Sequence, residues 1–230
     1  LSTDVTAAVK AKLNVMVCGA TGSGKTSLVN LITRFYDVTS GEVLVDGVNV
    51  KEFNQVDLRN KIAIALQKSE LFAGTIKDNI SWGKLDATDE EIKLAADIAQ
   101  ATEFIESKKD GFDEYVEEKG TSLSGGQKQR LSIARAIARD PEIFIFDDSF
   151  SALDYKTDSI LRKKLKEYTK DATVLIVAQR IGTIMNADNI IVLNNGEIAG
   201  RGTHKELLKT CKIYKEIALS QLTEEELENE

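Results

Sequence analysis

Proline is almost missing from this 230-residue chain, and histidine is as scarce: Pro141 and His204 are the only ones. The single proline excludes a proline-rich linker, and no internal repeat or low-complexity tract stands in for one. There are two cysteines, Cys18 and Cys211, far apart and in no metal-binding or redox spacing. A reduced, cytosolic setting is therefore expected. No stretch approaches the ~20 apolar residues of a membrane-spanning helix. The strongest apolar runs, IFIF at 143–146 and TVLIVA at 173–178, have the length of buried strands. The start shows no signal-peptide pattern. It also lacks an initiator Met, as a piece of a longer polypeptide would. With 37 acidic against 30 basic residues the net charge is −7, which argues against nucleic acid or an anionic membrane surface as the main partner.

What is present reads as alternating strands and helices around a helical stretch. Residues 13–18, LNVMVC, form a strand leading into a glycine-rich turn, with a helix expected from Lys25 to Phe35. GEVLVDG at 41–47 and KIAIAL at 61–66 read as strands. From 70 to 138 the texture is helical, with Thr88 and Glu91 spaced as a capping box. Strands return at 142–147 and 173–178, and Asn195-Gly196 is suited to a hairpin. Pro141 sits where the preceding helix should stop. Thr203 and Glu206 cap a final helix that runs into the acidic tail TEEELENE, leaving His204 as a solvated cap residue. The pattern predicts an α/β fold with a mostly parallel, helix-covered sheet and a helical lobe.

Three motifs carry chemistry. GATGSGKT, Gly19 to Thr26, fits the phosphate-loop pattern between a strand and a helix. Glycines let successive backbone N–H groups turn inward onto phosphate oxygens, and the new helix adds its positive end. Gly19, Thr21, Gly22, Ser23, Gly24, Lys25, Thr26 and Ser27 are the expected nucleotide-binding residues. Lys25 would reach the β- and γ-phosphates and Thr26 would ligate Mg²⁺. Asp147, after four apolar residues, is the second element, a strand-end carboxylate able to hold the metal. The third is LSGGQ, Leu123, Ser124, Gly125, Gly126 and Gln127, followed by an amphipathic helix with Leu131, Ile133, Ala134 and Ile137 on its buried face.

LSGGQKQRLSIARAIARDPEIFIFDD at 123–148 resembles the signature-to-Walker-B stretch of ATP-binding cassette proteins, and the resemblance covers nearly the whole chain. It implies a P-loop NTPase, RecA-like core over 1–69 and 139–220, with a small antiparallel β part. It also implies an inserted helical subdomain at 70–138, leaving 221–230 as tail. Gln67 falls at the Q-loop position, near Mg²⁺ and the attacking water. LFAGTIKDNI at 71–80 and GTHKELL at 202–208 look like the exporter branch, and SALD at 151–154 is similar to the D-loop, with Asp154 at a dimer interface. The family implies a head-to-tail pair of cassettes in which the signature of one subunit closes over the nucleotide of the other. The implied partners are a second nucleotide-binding domain and a transmembrane domain, N-terminal in the native protein, at the cytoplasmic face of the cell membrane. The implied cofactors are ATP and Mg²⁺. The aromatic that stacks on adenine would lie upstream of residue 1.

Two positions depart from the family. After Asp147 the family usually has Glu as the base that polarises water; here it is Asp148, shorter by about 1.5 Å. In IVAQR, 176–180, Gln179 stands where relatives place His. Gln can donate a hydrogen bond but cannot become cationic. Asp148, Gln179 and Gln67 are the candidate catalytic residues, and Thr26, Gln67 and Asp147 the candidate metal site. The pattern resembles the degenerate-site subunit of heterodimeric exporters. A homodimeric exporter using Asp148 as base remains open, as does a dimerisation module gated by nucleotide without turnover. Substitutions of frequent prolines, by Ala20 and Val38, and the missing Pro-Gly of VKAKLN bear on loop rigidity alone.

Overall fold

The computed structural model describes residues 14–223 and Leu227. VKAKL at 9–13 and the tail beyond 223, Leu227 apart, lie outside the described residues. In chain order the strands are β1 (Asn14–Cys18), β2 (Leu44–Val45), β3 (Val48–Asn49), β4 (Ile62–Ala65), β5 (Gly74–Thr75), β6 (Tyr115–Val116), β7 (Ile143–Asp147), β8 (Thr173–Val177), β9 (Asn189–Asn194) and β10 (Glu197–Gly202). The chain divides into two compact units, 61–172 and the residues on either side of it.

In the unit built from both ends, β1 lies between β8 and β9 and is parallel to both, and β10 returns antiparallel on β9. β1 is apolar at consecutive positions, Val15, Met16 and Val17, because a central parallel strand is buried on both faces. The expected hairpin forms at Asn195-Gly196, with φ of 48° and 82°, the paired positive values of a type I′ turn. The helix after the glycine turn runs Lys25–Ile32 and ends three residues short of the expected Phe35. GEVLVDG shrinks to the two-residue strand β2, paired with β3.

The end of the chain corrects two expectations. The final helix is two helices, His204–Thr210 and Lys212–Leu219, broken at Cys211, whose extended φ and ψ of −120° and 101° end the first. His204 is not solvated: it is 6% exposed, and its Nδ1 lies 2.7 Å from the Tyr214 hydroxyl. The Thr203–Glu206 capping box forms as expected and turns the next ring inward onto Tyr214. Tyr214 is fully buried, so its hydroxyl needs that partner. Replacing Tyr214 by Phe is expected to cost about 1–3 kcal/mol in denaturant unfolding, by stranding a buried polar group; an unchanged midpoint would contradict this.

In the unit 61–172, β4 and β7 pair in parallel from Ile62↔Ile143 to Ala65↔Phe146. Phe144 and Phe146 are almost wholly buried, each contributing roughly 1.5–3 kcal/mol of apolar burial. The Thr88–Glu91 capping box opens a helix at Asp89–Ile98. The periodic segment that follows is interrupted at Gln100, φ 56°, and resumes as Thr102–Glu106. The long helix Gly125–Ala138 buries Leu131, Ile133, Ala134 and Ile137, as its periodicity predicts. It stops before Pro141, through Asp140 at φ 49°. Among the described residues no helix is long and apolar enough to cross a membrane.

Candidate functional site

β1 delivers its C-terminal end to Gly19, where the chain must turn at φ 150°. A Cβ there would lie 2.2 Å from the Leu193 carbonyl oxygen of β9 and 2.7 Å from Ser23 Oγ. Glycine is required by the strand next door as well as by the turn. Ser23 N–H then donates to Ala20 O, closing the loop. Lys25 folds back over it, Nζ donating to Gly19 O and Ala20 O, both at 2.8 Å, with the side chain buried. Gly24, the N-cap of the Lys25–Ile32 helix, offers no side-chain acceptor, and no acidic residue occupies the first turn. The positive helix end is therefore not neutralised from within its own first turn, and Thr21, Gly22, Thr26 and Ser27 around it are exposed. These features fit an anionic phosphate group.

Burial pushes the Cys18 thiol, next to this loop, up to about 12, with Cys211 adding and Lys25 opposing. Both cysteines are buried and free, so each behaves as a small apolar residue. In the same unit Gln179 follows β8 with its side chain exposed. Its carbonyl accepts from Gln221 Nε2 at 2.8 Å, and Gln221 Oε1 accepts from Ile181 N–H at 2.9 Å.

The other candidate residues lie in the unit 61–172. Asp147 ends β7 at 3% exposure. The chain then turns through Asp148 at φ 51°, a left-handed conformation that Asp tolerates better than most side chains. Ser149 Oγ donates to Ala65 O at 2.6 Å, pinning this turn to the end of β4. Two residues beyond β4, Gln67 donates its Nε2 to Asp148 Oδ2 at 3.1 Å. The Q-loop glutamine and the second carboxylate are thus hydrogen-bonded partners.

Ser124 is the N-cap of the Gly125–Ala138 helix in a full capping box. Its Oγ accepts from Gln127 N–H at 3.2 Å, and Gln127 Oε1 accepts from Ser124 N–H at 3.0 Å. This first turn packs against SALD: a Cβ on Gly126 would come within 3.0 Å of Ala152 O. Gln129 Oε1 accepts from Ala152 N–H at 2.9 Å, and its Nε2 donates to Ser151 Oγ at 3.2 Å. Asp154 caps the next helix, accepting from Thr157 N–H at 3.0 Å, and that bond holds its carboxyl below the usual range. Leu123 anchors the segment at 6% exposure, while Ser124 and Gly125 are exposed.

Within 61–172 the fold therefore joins Gln67 to Asp148, and the signature to the D-loop segment. Lys25, Thr26 and Gln179 belong to the other unit. Sequence reasoning passed over Gln129, Ser149 and Gln221. Gln129 carries a signal, being a polar residue four positions before Ile133 on a buried helix face. Ser149 and Gln221 carry none, because their partners are 84 and about 40 residues away.

The ABC transporter family profile matches residues 2–151. Proteins of Staphylococcus aureus strains NCTC 8325 and COL, named for multidrug export as ATP-binding/permease proteins, are 46% identical over 214 residues. The match takes in 93% of this chain and 37% of each of theirs, so the chain spans little more than a third of their length. The structure of a bacterial Atm1-family ABC exporter with ATP bound superposes with a TM-score of 0.89 at 36% identity, over 91% of this chain and 37% of that one. The fold is accordingly the mixed α/β, mostly parallel P-loop NTPase fold of these proteins. The chain belongs to the ABC transporter family.

Proposed function

We propose that this chain is the ATP-binding, ATP-hydrolysing cassette of an exporter. It works at the cytoplasmic face of the membrane with a transmembrane domain and a second cassette, and is organised as a core at 1–69 and 139–220 with a helical, signature-bearing part at 70–138. Gly19 to Ser27 cradle the phosphates, with Lys25 on the β- and γ-phosphates. Thr26, Gln67 and Asp147 hold Mg²⁺, which supplies charge neutralisation at the phosphoryl group. Export of drug-like compounds follows the names of the Staphylococcus relatives.

The chain's own site turns over slowly and its signature serves a partner cassette that supplies Glu and His. The observation that carries this reading is the 3.1 Å bond from Gln67 to Asp148. It places the short carboxylate on the Q-loop amide, about 1.5 Å short of where Glu would end, and general-base catalysis depends first on reach. Gln179 weakens the same end of the site, being unable to carry charge toward a developing phosphoryl anion. The chain departs from its family in both groups that would handle water, while Lys25, Thr26, Asp147 and Ser124 are intact.

The test is a pair of substitutions in the assembled transporter. Ser124→Ala is expected to lower steady-state ATPase by about 10²-fold, the scale for loss of a donor aimed at transition-state charge. Asp148→Ala should change it less than about threefold, because most turnover occurs at the partner's site. Equal losses would favour a homodimer using Asp148 as base, and no turnover in any assembly would favour a nucleotide-gated dimerisation module.

A further inference from the structure

We infer that Gln221 is a positioning residue for the water-handling end of the nucleotide site: it clamps the Gln179–Ile181 segment from the far end of the chain. The inference rests on the reading that Gln179 acts beside the γ-phosphate.

One side-chain amide makes both ends of the clamp. Gln221 Nε2 donates to Gln179 O at 2.8 Å while Oε1 accepts from Ile181 N–H at 2.9 Å, so the amide spans the peptide units flanking Arg180. These are the residues that lead from the end of β8 into the short helix Ile181–Ile184. The N-cap of that helix, Arg180, makes no side-chain cap bond. Gln221 supplies an acceptor for the first N–H of that helix, one of the donors a helix start leaves without an intrahelical partner, from 40 residues away. Both bonds have good length, and an amide offers donor and acceptor at the spacing two successive backbone groups need.

The clamp has a fixed base. Gln221 follows the Lys212–Leu219 helix, and its own N–H donates to Ala218 O at 3.0 Å. That helix is docked by Tyr214 and Ala218, both fully buried, and Tyr214 is held by His204. The line His204–Tyr214–helix–Gln221 gives the clamp a rigid arm, whereas the Gln179 side chain itself is exposed. Where the Gln179 side chain can reach is set by the peptide that Gln221 holds. A 1 Å misplacement of such a group costs on the order of 10²-fold in rate, so a bond at the carbonyl of the same residue has leverage on turnover without touching nucleotide.

The assembled transporter, with the partner cassette's base inactivated so that only this chain's own site is read, is measured for single-turnover ATP cleavage, ATP affinity, and hydrogen exchange of the Ile181 amide. Gln221→Ala is expected to speed Ile181 exchange about tenfold, the effect of removing its hydrogen bond. It should lower the cleavage rate about tenfold and leave ATP affinity within twofold. Gln221→Glu keeps the acceptor for Ile181 N–H and loses the donor to Gln179 O. Its exchange should stay slow while its cleavage rate falls, a split that a general loss of folding would not produce. Acting through Gln179, Gln221→Ala should add less than twofold in a Gln179→Ala background. An undiminished second loss in that background, or wild-type cleavage in both Gln221 variants, overturns the positioning role. If Gln179→Ala alone leaves cleavage unchanged, the reading of Gln179 fails and the inference falls with it.

Discussion

Gly19→Ala is expected to be the most damaging single methyl addition in the nucleotide loop, lowering stability by about 3–5 kcal/mol. Two costs add. The backbone at φ 150° is a conformation that side chains rarely adopt, worth about 1–3 kcal/mol of strain. The new Cβ would then stand 2.2 Å from Leu193 O and 2.7 Å from Ser23 Oγ. The serine hydroxyl can rotate away; the carbonyl cannot. Leu193 belongs to β9, which is paired with β1 on one side and β10 on the other, so moving its oxygen disturbs two ladders. Overpacking against so fixed a group costs typically another 1–3 kcal/mol, which is serious for a domain stable by only about 5–15 kcal/mol. A fall in melting temperature of about 10 °C follows for a chain of this size. Gly22→Ala is the internal control: φ is 81° there but no atom lies within 4 Å of the added Cβ, so only the backbone strain of roughly 1 kcal/mol remains. Equal midpoints for the two variants in chemical denaturation would show that Leu193 imposes no such constraint.

The second large effect is a gain. Asp148→Glu combined with Gln179→His is expected to raise ATP cleavage at this chain's own site by about 10²-fold, at the lower end of what positioned acid–base groups contribute. Glu restores the missing ~1.5 Å of reach. His restores a group able to donate as a cation toward phosphoryl charge. Neither substitution alone should recover the full effect if base and orienting group act as a unit, since such groups are non-additive. The Gln67–Asp148 bond bears on the first: a longer acid must leave that amide or carry it along, so Gln67→Ala should abolish most of the gain. The measurement is single-turnover cleavage in the assembled transporter. No gain from the double variant would mean that Asp148 and Gln179 do not limit this site.

Short-range features were legible before any coordinates. The capping boxes at Thr88 and Thr203 follow from residues three positions apart, and the Asn195-Gly196 turn from two. β7 followed from consecutive apolar residues of strand length, and the buried face of the Gly125–Ala138 helix from a 3.6-residue period. GEVLVDG alternated like a full strand yet pairs over two residues, because strand length is settled by the available partner. His204 misled for a related reason. A helix first turn is usually wet, but here the following helix brings Tyr214 over it.

The sequence by itself determined the family, the phosphate-loop motif, the strand-end carboxylate Asp147 and the two unusual residues, since motif chemistry resides in near neighbours along the chain. Tertiary structure alone decided which groups meet. It set Gln67 on Asp148, Gln129 on Ser151 and Ala152, Ser149 on Ala65, and Gln221 across Gln179 and Ile181. Each of these is a polar side chain satisfying a group between 22 and 84 residues away. Such pairs leave no period and no spacing in the chain, because only the packing of strands and helices decides which backbone groups lack a partner of their own.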